Sequence, residues 1–224
     1  MNNTTKIGNP VLDRLLDHCR TRQYASKRPV IHAGAQSDTL YLIVSGSVTV
    51  AIEDEDGDEI VLAYLNKGEF FGEMGLFDPE VTRSARVRTR AESEIAEISY
   101  AHFKDLVQKD PELLFALAHQ MAVRLERTSR KVGDLAFLDV TGRIARALLD
   151  LCRQPDALTH PDGMQIKISR QEIGRIVGCS REMAGRVLKN LQEEGLISAS
   201  GKTIVVFGAS REGTDAKLEE QIGG

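Results

Sequence analysis

A heptad seam in the middle of the chain most limits what it can fold into. Leu114, Ala118, Met121, Leu125, Thr128, Val132 and Leu135 stand at intervals of 4, 3, 4, 3, 4 and 3 residues. Such a period marks a narrow apolar stripe on one long helix. A helix buried wholly inside one domain carries a wider stripe. The strict spacing therefore predicts pairing with the same helix of a second copy, a parallel homodimer. An internal core helix is the alternative. Thr128 is the one hydroxyl in the seam, and it costs stability there unless it finds a partner. Its own i−4 carbonyl or a ligand would serve.

Before the seam the period is that of strands. Residues 41–44 and 48–52 read as two runs with Ser45-Gly46 between them. Val48, Val50 and Ile52 alternate with Ser47, Thr49 and Ala51, which predicts one buried face. Glu53, Asp54, Glu55, Asp56 and Gly57 mark an exposed hairpin tip with Asp56-Gly57 as the turn. Runs at 60–65, 84–90 and 93–99 follow. Many short strands at this spacing predict a β jelly roll or barrel. A short amphipathic helix over 7–19 precedes them, with Val11, Leu12, Leu15 and Leu16 on one side.

After the seam the chain is mostly helical. A helix over 141–153 stops at Gln154-Pro155, residues 159–163 form a turn, and 164–168 form a short strand. Ser169 and Glu172 then make a capping box. The first helix runs to Val177, Gly178 supplies the left-handed turn position, and Ser180 caps a second helix over 181–194. Two helices joined by so short a glycine turn are the DNA-reading form. The first residues of the second helix then enter the major groove: Arg181, Glu182, Gly185 and Arg186. A β hairpin wing follows, with Lys202 at its tip. Charge agrees with this. The chain as a whole carries 29 basic and 33 acidic residues. Within 167–190, however, six basic residues face only Glu172 and Glu182, a local balance of +4.

The segment 68–77 holds Gly68, Gly72 and Gly75, and Arg83-Ser84 follows shortly after. Glycines let a backbone approach an anion closely, and an arginine grips a phosphate in two bonds. Glu73 is placed to accept from a ribose hydroxyl. An ordinary surface ion pair at Arg83 is the competing reading.

Composition closes off other classes. No apolar run approaches the length of a membrane span. Asp13, Arg14, Asp17 and Arg20 stand where a signal peptide would be apolar, so the expected compartment is the cytoplasm. Cys19, Cys152 and Cys179 are too scattered for a disulfide framework or a metal pair and read as small buried hydrophobes. No His/Glu set on the strands supports a jelly-roll metalloenzyme, so neither a metal nor catalysis is expected.

The motifs GEMGLF (72–77), RSA (83–85), LAFLDVTGRIA (135–145), QPDALTHPDGMQIKISRQEIG (154–174) and GCSREMAGRVL (178–188) carry a resemblance over about residues 9–208. The chain resembles the cyclic-AMP receptor (catabolite activator) branch of the CRP/FNR transcription regulators, near its pseudomonad virulence-regulator members. The resemblance implies an α+β chain. A cyclic-nucleotide-binding β jelly roll with an N-terminal helix spans 1–110. A dimerisation helix and hinge span 111–138, and a winged helix-turn-helix spans 139–208. Residues 209–224 extend past the usual end as a disordered tail. The resemblance also implies a cAMP-dependent homodimer that binds a TGTGA-type palindrome in double-stranded DNA and contacts RNA polymerase.

Position by position, it assigns Gly72, Glu73 and Met74 to the ribose and backbone side of cAMP, with Arg83 and Ser84 on the cyclic phosphate. Val50 and Leu62 line the base, Thr128 faces the adenine amino group, and Ser129 reaches the nucleotide of the other subunit. Arg181, Glu182 and Arg186 read the half-site. Arg170, Ser180 and Lys202, with Gln171 beside them, stand on the phosphates. Thr159, His160 and Gly163 match a patch that touches RNA polymerase. Arg20 and Arg22 stand where the family has a second, basic activating patch. Met74 replaces the usual Leu, and Arg86 stands where Trp is usual. Cys19 alone cannot supply the cysteine cluster of oxygen-sensing relatives. Another signal on the same DNA-binding scaffold, such as cyclic di-GMP, is the alternative. A nucleotide-gated enzyme subunit is a more distant one, against which the basic helix pair and wing argue.

Overall fold

The computed structural model describes residues 6–78 and 80–210, in two compact units divided between Thr128 and Ser129. The tail expected over 209–224 lies, from 211 on, outside the described residues; Ala209 is buried.

The first unit begins with α1 (Pro10–Leu16), capped by the Asn9 side chain, then β1 (Arg20–Tyr24) and β2 (Pro29–Ile31). β3 (Thr39–Ser45), β4 (Ser47–Glu53), β5 (Glu59–Asn66) and the short β6 (Phe70–Phe71) follow. One helical turn, α2 (Met74–Phe77), leads to β7 (Arg86–Thr89), β8 (Ser93–Ser99) and α3 (Tyr100–Lys109). The strands form two antiparallel sheets, β1-β8-β3-β6 and β2-β7-β4-β5. This is the jelly-roll arrangement the strand spacing predicts. Between the sheets lie Ile31, Ile43, Val48, Leu65, Phe71, Val87 and Ile95. The opposite side of β3 turns Leu40, Leu42 and Val44 toward the helices, onto Leu15, Phe103, Leu113 and Leu117. β3 is thus apolar on both faces, which is why residues 41–44 show no alternation.

Several expectations need correcting. β4 does not keep one face inward. Its pairing with β5 shifts register between Val50 and Ala51. The extra residue is Leu62 of β5, opposite that step. β4 itself runs on unbroken against β7, with Thr49 and Ala51 buried on one side, Val48 on the other, and Ile52 41% exposed. The first helix is shorter than 7–19, because the chain leaves it to enter β1. α3 and the strands β1, β2 and β6 were not anticipated.

The helix α4 (Glu112–Phe137) carries the seam. Leu113 and Leu117 are buried in the first unit, and Met121 of the seam packs against the same core. Further along, the seam is bare, with Leu125 68% exposed, Val132 61% and Leu135 52%.

The second unit contains α5 (Val140–Cys152), capped by Asp139. β9 (Leu158–His160), β10 (Gly163–Lys167), α6 (Arg170–Val177), α7 (Arg181–Glu193), β11 (Ile197–Ser200) and β12 (Thr203–Phe207) complete it. The sheet order is β11-β12-β10-β9. Residues 159–163 are therefore not one turn: Thr159 and His160 pair in a hairpin with β10. Of the three thiols only Cys152 is buried outright; Cys19 and Cys179 are half-buried.

Candidate functional site

At the end of β6 the chain turns at Gly72, where φ is 75° and a Cβ would stand 2.6 Å from Arg83 Nη1. A side chain there is excluded both by the backbone and by the arginine. Arg83 is only 7% exposed, so it is no surface ion pair. Its Nη1 donates to the Gly72 carbonyl at 2.7 Å and to the Tyr100 hydroxyl at 3.0 Å, and its Nη2 donates to the Thr39 carbonyl at 2.7 Å. The guanidinium also lies 5.6 Å from the Tyr41 ring centre and 5.9 Å from that of Tyr100. A buried cation fed by carbonyls and two aromatic faces is held in place, and among the described residues no carboxylate pairs with it.

The next residue, Glu73, pairs with Arg124 of α4 at 3.1 Å. Arg124 Nη2 also donates to the Phe70 carbonyl at 2.6 Å. One turn earlier, Gln120 accepts from Phe70 N and donates to the Gly68 carbonyl, both at 2.8 Å. One turn later, Thr128 Oγ1 donates to the Arg124 carbonyl at 2.9 Å. The seam hydroxyl therefore takes the i−4 carbonyl, and its oxygen stays exposed with Ser129 beside it. Ser84 is exposed and donates to Met74 Sδ at 3.2 Å.

The fold thus brings Gly72, Glu73 and Arg83 into one cradle, sets Met74 and Ser84 in contact, and ties the cradle to α4. Val50 packs against the core between the sheets, and Leu62 on β5 is largely exposed; neither has a described contact with Arg83. Tyr41, Tyr100, Gln120 and Arg124 were missed. The tyrosines leave no local signal. Gln120 and Arg124 do, as polar residues four apart that each directly precede a seam position.

In the second unit Ser169 accepts from Glu172 N at 3.2 Å, and Ser180 accepts from Met183 N at 3.1 Å. Gly178 between them sits at φ 72°, ψ 55°. A Cβ on Gly174 would meet the Cys179 carbonyl at 2.5 Å, which is how closely α6 and the start of α7 approach. A concavity of about 450 Å³ opens beside α7, lined by Arg170, Arg181, Glu182, Gly185, Arg186 and Lys189. Four cations, Arg170 from α6 and three from α7, with one carboxylate make an anion-seeking surface with one acceptor for a base edge. Lys189 is one of the six basic residues of 167–190. Gln171, Ser180 and Lys202 are exposed. Elsewhere, Thr159 is exposed on β9, and the His160 ring lies beside Asp162, its Nδ1 accepting from Asp162 N at 3.2 Å. Gly163 opens β10, and Arg20 and Arg22 are exposed on β1. Among the described residues no group of His, Cys, Asp and Glu is placed to hold a metal, and no helix is long and apolar enough to cross a membrane.

An anion cradle in a jelly roll, joined through a long helix to a DNA-reading helix pair, defines a nucleotide-responsive DNA-binding regulator. Residues 21–110 match the cyclic nucleotide-binding domain, and residues 166–197 match the crp family of bacterial regulatory proteins. The chain is 64% identical over 200 residues to the cAMP-activated global transcriptional regulator Vfr of Pseudomonas aeruginosa, covering 88% of this chain and 94% of that protein. It is 60% identical to the cAMP-activated global transcriptional regulator CRP of Salmonella typhimurium, covering 89% and 95%. The solved structure of the c-di-GMP-responsive global regulator CLP of Xanthomonas campestris superposes with a TM-score of 0.83 at 48% identity, covering 88% of this chain and 98% of CLP. The chain belongs to the CRP family of transcription regulators.

Proposed function

We propose that this chain is a cAMP-dependent transcription regulator. It acts in the cytoplasm as a homodimer, binds a TGTGA-type palindrome and contacts RNA polymerase. Residues 1–110 form the nucleotide-binding part, 111–138 the dimer helix and hinge, and 139–208 the DNA-binding part. The observation that carries this reading is Arg83, a buried, preorganised cation at a glycine turn whose neighbour Glu73 is tied to the seam helix.

The cyclic phosphate bonds to Arg83 and to Ser84. Glu73 keeps one oxygen on Arg124 and offers the other to the ribose hydroxyl, with Gly72 and Met74 alongside. Val50 and Leu62 line the base, with Thr128 on its amino group and Ser129 reaching from the second subunit. Because ligand and α4 share the cradle, a ligand that contacts one helix arrangement better than another shifts the population toward it. The hinge between Phe137 and Val140 passes this to α7. Two copies of α7 then stand roughly 34 Å apart, one turn of DNA. Arg181, Glu182 and Arg186 read bases, while Arg170, Gln171, Ser180 and Lys202 hold phosphates. Thr159, His160 and Gly163 on one unit, and Arg20 and Arg22 on the other, face the polymerase.

A second reading, control by cyclic di-GMP, is favoured by the likeness to CLP. Calorimetric titration of the full chain with each nucleotide separates the two. Tight cAMP binding, with cyclic di-GMP neither binding nor competing, supports the first; the reverse result establishes the second.

A further inference from the structure

Tyr100 starts α3 at the end of β8 and is buried. Its hydroxyl has one proton to give and two lone pairs to fill. The proton goes to the Gly72 carbonyl, in very close contact. One lone pair accepts from Arg83 Nη1 at 3.0 Å. Ser37 Oγ lies 2.7 Å away, and with the phenolic proton committed, Ser37 is the donor. Room for this arrangement comes from a second glycine. A Cβ on Gly75 would collide with Ser37 Oγ and stand 3.1 Å from the Tyr100 ring. The phenol is therefore satisfied in every direction and cannot swing away without stranding a buried group.

The consequence falls on Arg83. Nη1 is spent on Gly72 and Tyr100, and one proton of Nη2 is spent on Thr39. Among the described residues Nε–H has no partner, and Nη2 has only Thr39. Nε and Nη2 share one edge of the plane, the fork that fits two oxygens of a phosphate. Rotation of the plane would break all the internal bonds together.

We propose that Tyr100, braced by Ser37, is a positioning residue for Arg83 that locks the guanidinium with its Nε–Nη2 edge turned to the ligand. The lock makes the site discriminate between the two exocyclic oxygens of a cyclic phosphate. This rests on the cyclic-nucleotide reading above. A guanidinium fixed in one plane distinguishes the two oxygens; one free to tilt averages them.

The test is Tyr100→Phe, which keeps the ring and removes only the hydroxyl. The full chain is titrated by calorimetry with cAMP and with its two phosphorothioate diastereomers, in which one or the other exocyclic oxygen is sulfur. The expected result is cAMP binding weakened about tenfold, the scale of one hydrogen bond to a charged group, with the affinity ratio of the diastereomers falling toward one. Ser37→Ala, a milder change, moves both readings the same way, by about threefold for cAMP. If Tyr100→Phe fails to fold, Ser37→Ala decides by the same two readings. A general loss of stability would lower affinity for all three ligands and leave the ratio alone. Variants with the wild-type ratio therefore overturn the proposal while the nucleotide reading stands. A wild-type chain that takes no cAMP overturns both.

Discussion

Burial makes Arg83 a different residue from the one its surroundings in the sequence describe. An exposed arginine could be exchanged for leucine at no cost to the fold. Here Arg83→Leu takes one donor each from the carbonyls of Gly72 and Thr39 and from the Tyr100 hydroxyl, although Tyr100 still bonds Gly72 and Ser37; the cost is about 1–3 kcal/mol where a buried group is left unpaired. The variant is expected to lose cAMP binding by calorimetry and also to melt several degrees lower; normal cAMP affinity would remove Arg83 from the ligand site. Glu182 is the single carboxylate lining the concavity beside α7. Glu182→Ala is expected to relax preference at one base position per half-site, by about 1–3 kcal/mol in competition binding against single-base variants. Cysteine offers a pH test. Burial pushes the Cys19 and Cys152 thiols up to about 12. Both stay protonated in the native state, while the unfolded chain begins to ionise them near pH 9. Their contribution to stability is thus complete below about pH 9 and is lost as pH rises toward 12. Denaturant midpoints should fall across that window, and fall less in a Cys19→Ala, Cys152→Ala chain. The sequence marks Arg83 by its glycines but carries no mark for Tyr100, because a residue that meets its partner only through the sheets has no local period.

At the scale of elements, the helices and their caps were legible and the strand faces less so. Ser169, Gly178 and Ser180 each act within three residues of themselves, and the turn between α6 and α7 is built as their order predicts. The register shift opposite Val50 and Ala51 comes from the extra residue Leu62 of β5, and no feature of β4 alone announces it. β6 holds only two residues and owes its pairing to β3. The seam of α4 was read from spacing, and its Leu125, Val132 and Leu135 are exposed in the single chain. Leu125→Asp places a charge in the middle of that stripe. Sedimentation should show the dimer weakened by at least about a hundredfold, the scale of a buried unpaired charge. An unchanged dimer would assign the interface to another surface.

For the molecule as a whole, the cradle and the DNA-reading face belong to different compact units. In the proposed mechanism coupling between them runs along α4 and its hinge, which join them in the chain. Gln120 and Arg124 fasten the cradle to one stripe of that helix, and the neighbouring stripe is the seam. In the proposed homodimer, ligand binding and dimer geometry share one element, and DNA affinity is expected to respond to both. The net charge of −4 says nothing of this, because the basic residues that matter are gathered in 167–190. The most direct test is fluorescence anisotropy of a labelled duplex bearing two inverted TGTGA half-sites one turn apart, titrated with the protein at fixed salt with and without cAMP. Affinity is expected to rise by tenfold or more with cAMP, about 1.4 kcal/mol of coupling. An affinity that cAMP leaves unchanged, whether tight or absent, would contradict the account.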